Sequence, residues 1–269
     1  MDNPVKILST PLKNYYFPFE WYELGEAKHF WFTWRFCSFL HFVRFLRIPL
    51  DVPFKGLEVG CGTGILRQQI EQATHWIVDG TDLSMDALEL CYVGRGETFF
   101  YDIHDRHRSF QETYDFVILF DVLEHIQETT YFLESLFYHL KPCGWIFINV
   151  PALMPLFSNY DRAQQHFRRY DKKMMRQEFS FNASKIHDMR YWGFSLIPLL
   201  LIRKLLLSYK TSSKTIIHRG FKVPADWINT WLLKLMAIET SLIKPPPLGT
   251  SLMVAATKEK QSNKNQNVS

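Results

Sequence analysis

Leu57-Glu58-Val59-Gly60-Cys61-Gly62-Thr63-Gly64 sets three glycines at alternate positions behind an apolar run. Glycine belongs where backbone must pass close to a ligand, because a side chain would block the approach. Glu58 stands near the end of that run, and Asp82 closes the next one. An ionised carboxylate can accept hydrogen bonds from both hydroxyls of a ribose. The combination predicts a nucleoside-bearing ligand at the carboxyl edge of a parallel sheet. Two other nucleotide chemistries are excluded. A phosphate loop ends in Gly-Lys-Ser/Thr, whereas Ile65-Leu66 follows Gly64. A dinucleotide fold needs G-x-G-x-x-G, and here the third glycine comes one position early.

A second constellation is Asp121-Val122-Leu123-Glu124-His125. On a helix, positions 121, 124 and 125 share one face. Three roles are open to it. His125, with Glu124, could serve as a general base or a substrate-side group. Asp121, Glu124 and His125 could hold a divalent metal, although no metal is the first expectation. His125 could also be structural, bonded to backbone. Further on, His166, Arg168, Arg169 and Tyr170 place several donors on one loop. They could bind an anionic acceptor, or form a lid that packs through arginine–aspartate pairs. Arg35 could pair with a ligand carboxylate through two parallel hydrogen bonds, or sit on the surface of an aromatic helix.

These residues need a frame. Phe36 to Phe45 reads as a helix with Phe36, Leu40 and Val43 near one face. Strands are expected at 55–60, 75–82, 97–101, 115–120 and 145–150, with helices between them. Ser84 is a plausible helix N-cap. Pro142 and Gly144 should break the helical stretch that precedes the fifth strand. Strands alternating with helices mean a parallel, doubly wound sheet. Residues 151–182 read as a lid-like insertion, and 185–189 as strand six. Gly193 ends that strand, and a helix follows from about Phe194 to Tyr209, with Pro198 expected to kink or break it. A second helix spans Trp227 to Leu242, and Pro245-Pro246-Pro247 stops it. Ser251 to Ala256 is the final strand.

The chain has 269 residues, 47% of them hydrophobic and 16% aromatic, enough for one large core with an N-terminal cap over 1–54. A net charge of +4 does not by itself imply nucleic acid, and basic residues form no long stripe. Cys37, Cys61, Cys91 and Cys143 stand alone, without a C-x-x-C pair, which fits a reducing compartment. The first residues lack the layout of a secretory signal. No run reaches the roughly 20 apolar residues that a spanning helix needs. Residues 258–269 are polar and expected to be disordered.

The glycine octet resembles motif I of the class I S-adenosylmethionine-dependent methyltransferases. That resemblance implies a Rossmann-like α/β fold: a seven-stranded doubly wound sheet, its last strand antiparallel and inserted beside strand six. It makes S-adenosyl-L-methionine the cofactor. Glu58, Gly60, Cys61, Gly62 and Gly64 would line its amino-acid end. Asp82 with Leu83 would hold the ribose, and Asp102-Ile103, with Asp105 as a second candidate, the adenine. Phe120-Asp121 would border the methionine, and Arg35 would meet its carboxylate. The Asp121-x-x-Glu124-His125 segment looks like that of ubiquinone-type and related small-molecule O-methyltransferases. His29-Phe30-Trp31-Phe32-Thr33-Trp34-Arg35, Pro151-Ala152 and His166-Phe167-Arg168-Arg169-Tyr170 resemble a bacterial type 11/type 12 subgroup. There His29, Trp31, His166, Arg168, Arg169 and Tyr170 would face the acceptor.

The resemblance implies transfer to a small-molecule or lipid-linked acceptor, at oxygen. The Asn/Asp-Pro-Pro-Tyr/Phe pattern of many amino-methylating enzymes is absent after strand four, which counts against nucleic acid as partner. The alternative is a non-catalytic scaffold that binds the cofactor or a membrane. Phe194–Leu207 is either an apolar pocket wall or a surface in peripheral contact with a membrane. The expected location is the cytoplasm, with the inner membrane face as the alternative. The pattern specifies no oligomeric state.

Overall fold

The computed structural model describes residues 5–10, 29–180, 184–207, 216, 224–242 and 245–260. Along the chain these form β1 (Lys6–Ile7), α1 (Phe30–Phe45), β2 (Lys55–Val59), α2 (Ile65–Ala73), β3 (Ile77–Asp82), α3 (Met85–Glu89), β4 (Thr98–Phe100) and β5 (Tyr114–Phe120). There follow α4 (Thr129–His139), β6 (Leu140–Pro151), α5 (Asn159–Ala163), α6 (Lys172–Phe179), β7 (Ser184–Trp192), α7 (Ile197–Leu206), α8 (Asp226–Leu242) and β8 (Ser251–Lys258). The sheet order is β1-β4-β3-β2-β5-β6-β8-β7. Strand β8 runs antiparallel to both neighbours, and the other pairs are parallel.

The doubly wound plan with an inserted antiparallel last strand matches expectation. The count is eight rather than seven, because β1 adds an edge strand beside β4, pairing Lys6 with Phe99. Two exposed residues carry no periodicity that could announce a strand. The N-terminal segment is thus not a helical cap alone. Strand β8 extends to Lys258, whose Nζ donates to Glu112 and to the Leu140 carbonyl, so that residue belongs to the sheet rather than the tail. Residues 261–269 lie outside the described residues.

Strand β5 shows why the central runs are apolar throughout. Val117 and Leu119 pack into one layer with Leu133 and Leu136 of α4. Phe116, Ile118 and Phe120 alternate into the opposite layer, with Phe39 and Phe42 of α1. A strand covered on both faces has no polar side to show. The same alternation puts Leu57 and Val59 in the α4 layer. Glu58 therefore points to the α1 side, where Arg35 lies.

Helix α1 begins six residues earlier than its sequence indicated, because the His29 Nδ1 accepts from the Trp31 amide at 3.0 Å and caps it. Its buried residues are Phe32, Trp34, Arg35, Phe39, Phe42 and Val43, so of Phe36, Leu40 and Val43 only Val43 is buried. Phe39 makes edge contacts with Phe120 and Phe147, at 5.4 and 5.3 Å between ring centres. Strand β6 runs through Pro142 and Gly144 by bulging: Tyr114 pairs with Leu140, but Phe116 pairs with Trp145. The segment breaks just before Pro198: Phe194–Leu196 form a 3-10 turn and α7 starts at Ile197, which puts the proline in its first turn, where the missing N–H would have had no partner. The start of that helix is held from α8. Glu239 accepts from the amides of Gly193 and Phe194 at 3.0 Å and of Ser195 at 2.7 Å.

If α1 is part of the core, Phe39→Ala should cost about 3–5 kcal/mol in urea denaturation. A loss below about 1 kcal/mol would mean that α1 merely rests on the sheet.

Candidate functional site

Strand β2 delivers the glycine turn to the sheet's carboxyl edge. The amides of Gly60 and Cys61 donate to the Thr81 carbonyl at 2.8 and 3.0 Å, tying the turn to β3. Gly60, Gly62 and Gly64 have φ of 72°, 52° and 75°. A Cβ on Gly60 would lie 2.5 Å from Val122 Cγ2, and one on Gly64 2.8 Å from Cys91 Sγ. Both backbone conformation and space therefore demand glycine there. Asp82 closes the turn: Oδ2 accepts from the Gly62 amide at 2.8 Å and Oδ1 from the Ser84 amide at 2.9 Å. Ser84 is the cap of α3, so Asp82 is not. The Leu83 amide is a further donor to this carboxylate, and the residue lines the cavity described below.

Glu58 is buried behind this turn, and its Oε2 has no hydrogen-bond partner. Burial, against the lowering pull of Arg35, pushes its carboxyl up to about 8. Arg35 donates from Nη1 to Asp121 Oδ2 at 2.6 Å, while its Nε is unpaired. Asp121 Oδ1 accepts from Asn149 Nδ2 at 2.8 Å, and Asn149 Oδ1 from Trp192 Nε1 at 2.8 Å. Trp192 in turn lies 4.8 Å from Trp31. Asp121 itself is strained, with φ of 58°.

Asp121 therefore does not share a helical face with Glu124 and His125. Residues Leu123–His125 form a 3-10 turn after it. The acid–histidine cluster takes its third member from the lid instead: ligand-type atoms of Glu124, His125 and His166 lie within 4.8 Å of one another. Such a set could hold a divalent ion or relay a proton. Both Glu124 oxygens are buried without hydrogen-bond partners, Oε1 lying 3.9 Å from His166 Nε2, and burial first, then the Asp121 charge, raises its carboxyl well above the usual range. Burial, then repulsion from His166, lowers His125 to about 3, so its imidazole is neutral. It also contacts the Gln164 backbone.

His166 is backed by Asp161, Nδ1 to Oδ1 at 3.4 Å. Burial acts against the Asp161 charge, but the His166 hydrogen bond and the Arg169 guanidinium outweigh it and hold that carboxyl well below the usual range. Arg169 donates to Asp161 at 2.7 Å. Asp161 also accepts from Ser158 amide and hydroxyl, in a capping box that starts α5. The Ser158-x-x-Asp161 spacing was visible in the sequence as a cap signal, and Asp161 was passed over.

One cavity of about 1070 Å³ joins these parts. Glu58, Gly60, Cys61, Gly62, Asp82, Leu83, Asp102, Ile103, Phe120, Asp121 and Arg35 line it, as do Glu124, His125, His29, Trp31, His166 and Arg169. Among the described residues, Gly64, Asp105, Arg168 and Tyr170 do not. Gly64 starts α2, and Asp105 accepts from Ser9 Oγ at 2.5 Å. Arg168 donates to the Gln127 carbonyl, and the fully buried Tyr170 lies behind Leu123. The arginines of this segment thus pair with protein groups: lid packing, rather than a cluster of free donors, explains them. The apolar wall is α7 and α8, through Leu199, Leu200, Ile202, Leu206, Ile228 and Leu232.

Residues 31–196 match the family model described as a methyltransferase domain. Two curated relatives are named ubiquinone biosynthesis O-methyltransferase. The protein from Hydrogenovibrio crunogenus is 29% identical over 122 residues, 41% of this chain and 50% of its own length. That from Haemophilus ducreyi is 32% identical over 105 residues, 35% of this chain and 44% of its own. The chain thus spans about half the length of the curated relatives it matches. Among solved structures, a chain in the complex of the Haloferax volcanii Trm112 methyltransferase activator with a methyltransferase superposes with a TM-score of 0.57. It is 13% identical, covering 92% of this chain and 100% of that one. The chain belongs to the methyltransferase-domain family. Its fold is Rossmann-like.

The buried acid behind the turn gives a test in solution. With a folded value near 8 against 4.5 for the free group, Glu58 keeps its proton in the folded chain while the unfolded chain releases it. Stability from this group is full below about pH 4.5 and declines as pH rises towards 8. Glu58→Gln should flatten that decline and add about 1–3 kcal/mol at pH 8. Denaturation curves of equal pH slope in both proteins would show that Glu58 is not held protonated.

Proposed function

We propose that this chain methylates a hydroxyl oxygen on a small, lipophilic, hydroxylated aromatic acceptor, with His166 as the proton acceptor. The carrying observation is that Glu124, His125 and the Asp161-backed His166 line the same cavity as the glycine turn and Asp82. The names of the two curated relatives support oxygen as the acceptor atom.

The residues present fit the cofactor. The unpaired Glu58 carboxyl suits an ammonium group, the unpaired Arg35 Nε a carboxylate, and Asp82 a ribose. The bare glycine backbone allows close approach, and Asp102-Ile103 closes the adenine end. When bound, S-adenosylmethionine supplies a methyl already activated by its sulfonium charge. The protein's part is alignment, exclusion of water and removal of the acceptor proton. His166 takes the hydroxyl proton, and the Asp161 carboxylate stabilises the resulting imidazolium. His125, kept neutral by burial, orients the acceptor beside it. Trp31, the α7 leucines and Ile228 hold its apolar body.

Transfer of labelled methyl to catechols bearing a short isoprenoid tail, with calorimetry of S-adenosylhomocysteine, tests this reading. His166→Ala should lower kcat by about 10²–10⁴-fold and leave product affinity within about threefold. Asp82→Ala should weaken that affinity at least about tenfold, the value of one charged hydrogen bond. Retention of kcat within tenfold in His166→Ala removes His166 as the base. Product binding without any methyl transfer by the wild type favours the scaffold alternative.

A further inference from the structure

Helix α7 buries none of its residues. Leu199, Leu201, Ile202, Leu205 and Leu206 are each between 44% and 72% exposed. Soluble surfaces scatter such residues singly, and a contiguous set marks a contact site. Three of the five, Leu199, Ile202 and Leu206, at i, i+3 and i+7, also line the large cavity. Leu201 and Leu205 lie beside them, outside it. The leucines are therefore at once the cavity's inner wall and its outer rim.

Helix α8 repeats the arrangement. Ile228 and Leu232 line the cavity, while Trp227, Trp231 and Ile238, between 55% and 75% exposed, form an adjacent stripe with the exposed Lys234. Tryptophan beside lysine is the composition found where a protein meets lipid headgroups. From Gly193 to Ala225 the sequence has no acidic residue but carries Arg203, Lys204, Lys210, Lys214, Arg219 and Lys222. Among the described residues, no helix is long and apolar enough to cross a membrane. The ten residues of α7 reach about 15 Å, half the hydrocarbon core.

We propose that the exposed face of α7 and α8 docks on an anionic lipid bilayer, with the cavity mouth opening into it. Leucines enter the acyl boundary, tryptophans sit at headgroup level, and the exposed Lys234 beside them is attracted to anionic lipid. A lipophilic acceptor can then pass from bilayer to cavity along Leu199, Ile202 and Leu206 without crossing water. A second copy of the chain is a poorer occupant, because a two-fold contact on this face would bring the Lys234 side chains of both copies towards one another. Docking itself does not depend on the methyltransferase reading; the delivery of a lipid-borne acceptor does.

Co-sedimentation with phosphatidylglycerol vesicles, compared with phosphatidylcholine vesicles, tests the surface. The full chain should pellet with phosphatidylglycerol at low salt and at least about tenfold less with phosphatidylcholine. Leu205→Glu and the double variant Trp227→Ser/Trp231→Ser, none of them cavity residues, should each lower binding at least about tenfold. Unchanged S-adenosylhomocysteine affinity by calorimetry shows that the variants are folded. Wild-type protein that stays in the supernatant overturns the proposal, as does vesicle binding unmoved by both variants. So does a wild-type dimer that Leu205→Glu splits without any vesicle binding. Vesicle binding by a wild type that takes no S-adenosylhomocysteine would leave docking standing and refute the cofactor site, so the two failures are distinguishable.

Discussion

The buried pair between Arg35 and Asp121 is the contact on which the site's geometry depends. It is made between a helix before the sheet and the end of a central strand, 2.6 Å apart. A buried ion pair is weak evidence for stability, since desolvation offsets most of the attraction, whereas removing one partner leaves a costly lone charge. Its value here lies in position. Asp121 is held in a left-handed conformation that a non-glycine residue avoids. Arg35 and Asn149 each satisfy one of its oxygens, so the strained residue has a single arrangement. Through Asn149 the constraint passes to Trp192 and so to Trp31, closing a ring around one end of the cavity.

That constraint sets the electrostatics around it. Glu58, Asp82 and Glu124 are all buried, and burial raises each carboxyl. Asp161 is the exception, because Arg169 and His166 hold it ionised. The cavity therefore contrasts acids that resist charging near the glycine turn with one fixed anion behind His166. A cationic ligand end gains most where the unpaired Glu58 oxygen waits, since its charge would ionise that carboxyl. A proton arriving on His166 gains most from the carboxylate already charged behind it.

The sheet was legible because buried parallel strands are written as continuous apolar runs, each punctuated by Gly60, Asp82 or Asp121. The glycine turn was legible for the same reason: three positive φ values in five residues leave only one residue type comfortable. Arg35 was harder. Its helix was read from Phe36, so the stripe Phe32–Arg35–Phe39–Phe42 was cut just where a charge enters it. Asp121 was assigned to a helical face by spacing, but spacing does not reveal that a strained strand end precedes a 3-10 turn. Tyr170 and Arg168 were read as pocket donors, although a lid must also pack, and aromatic and guanidinium groups do both. Glu239 capping the turn after β7 is a contact between positions 44 to 46 residues apart, beyond any local pattern.

The family match ends at Leu196, one residue before α7 begins. Everything the sheet carries, from the glycine turn to His166, falls inside it. The leucine rim, the tryptophan stripe and all but the first four residues of the acid-free stretch fall outside it. Both described helices of the segment inserted between β7 and β8 lie beyond that match and reach the cavity. Because β8 pairs with β6 and β7 on either side, the insertion is anchored at both ends by antiparallel strands. Its apolar helices can therefore change composition and exposure without disturbing the strand ends that hold Gly60, Asp82 and Asp121. The apolar helices that wall the cavity are thus separable in this fold from the strand ends that carry the glycine turn and its acids.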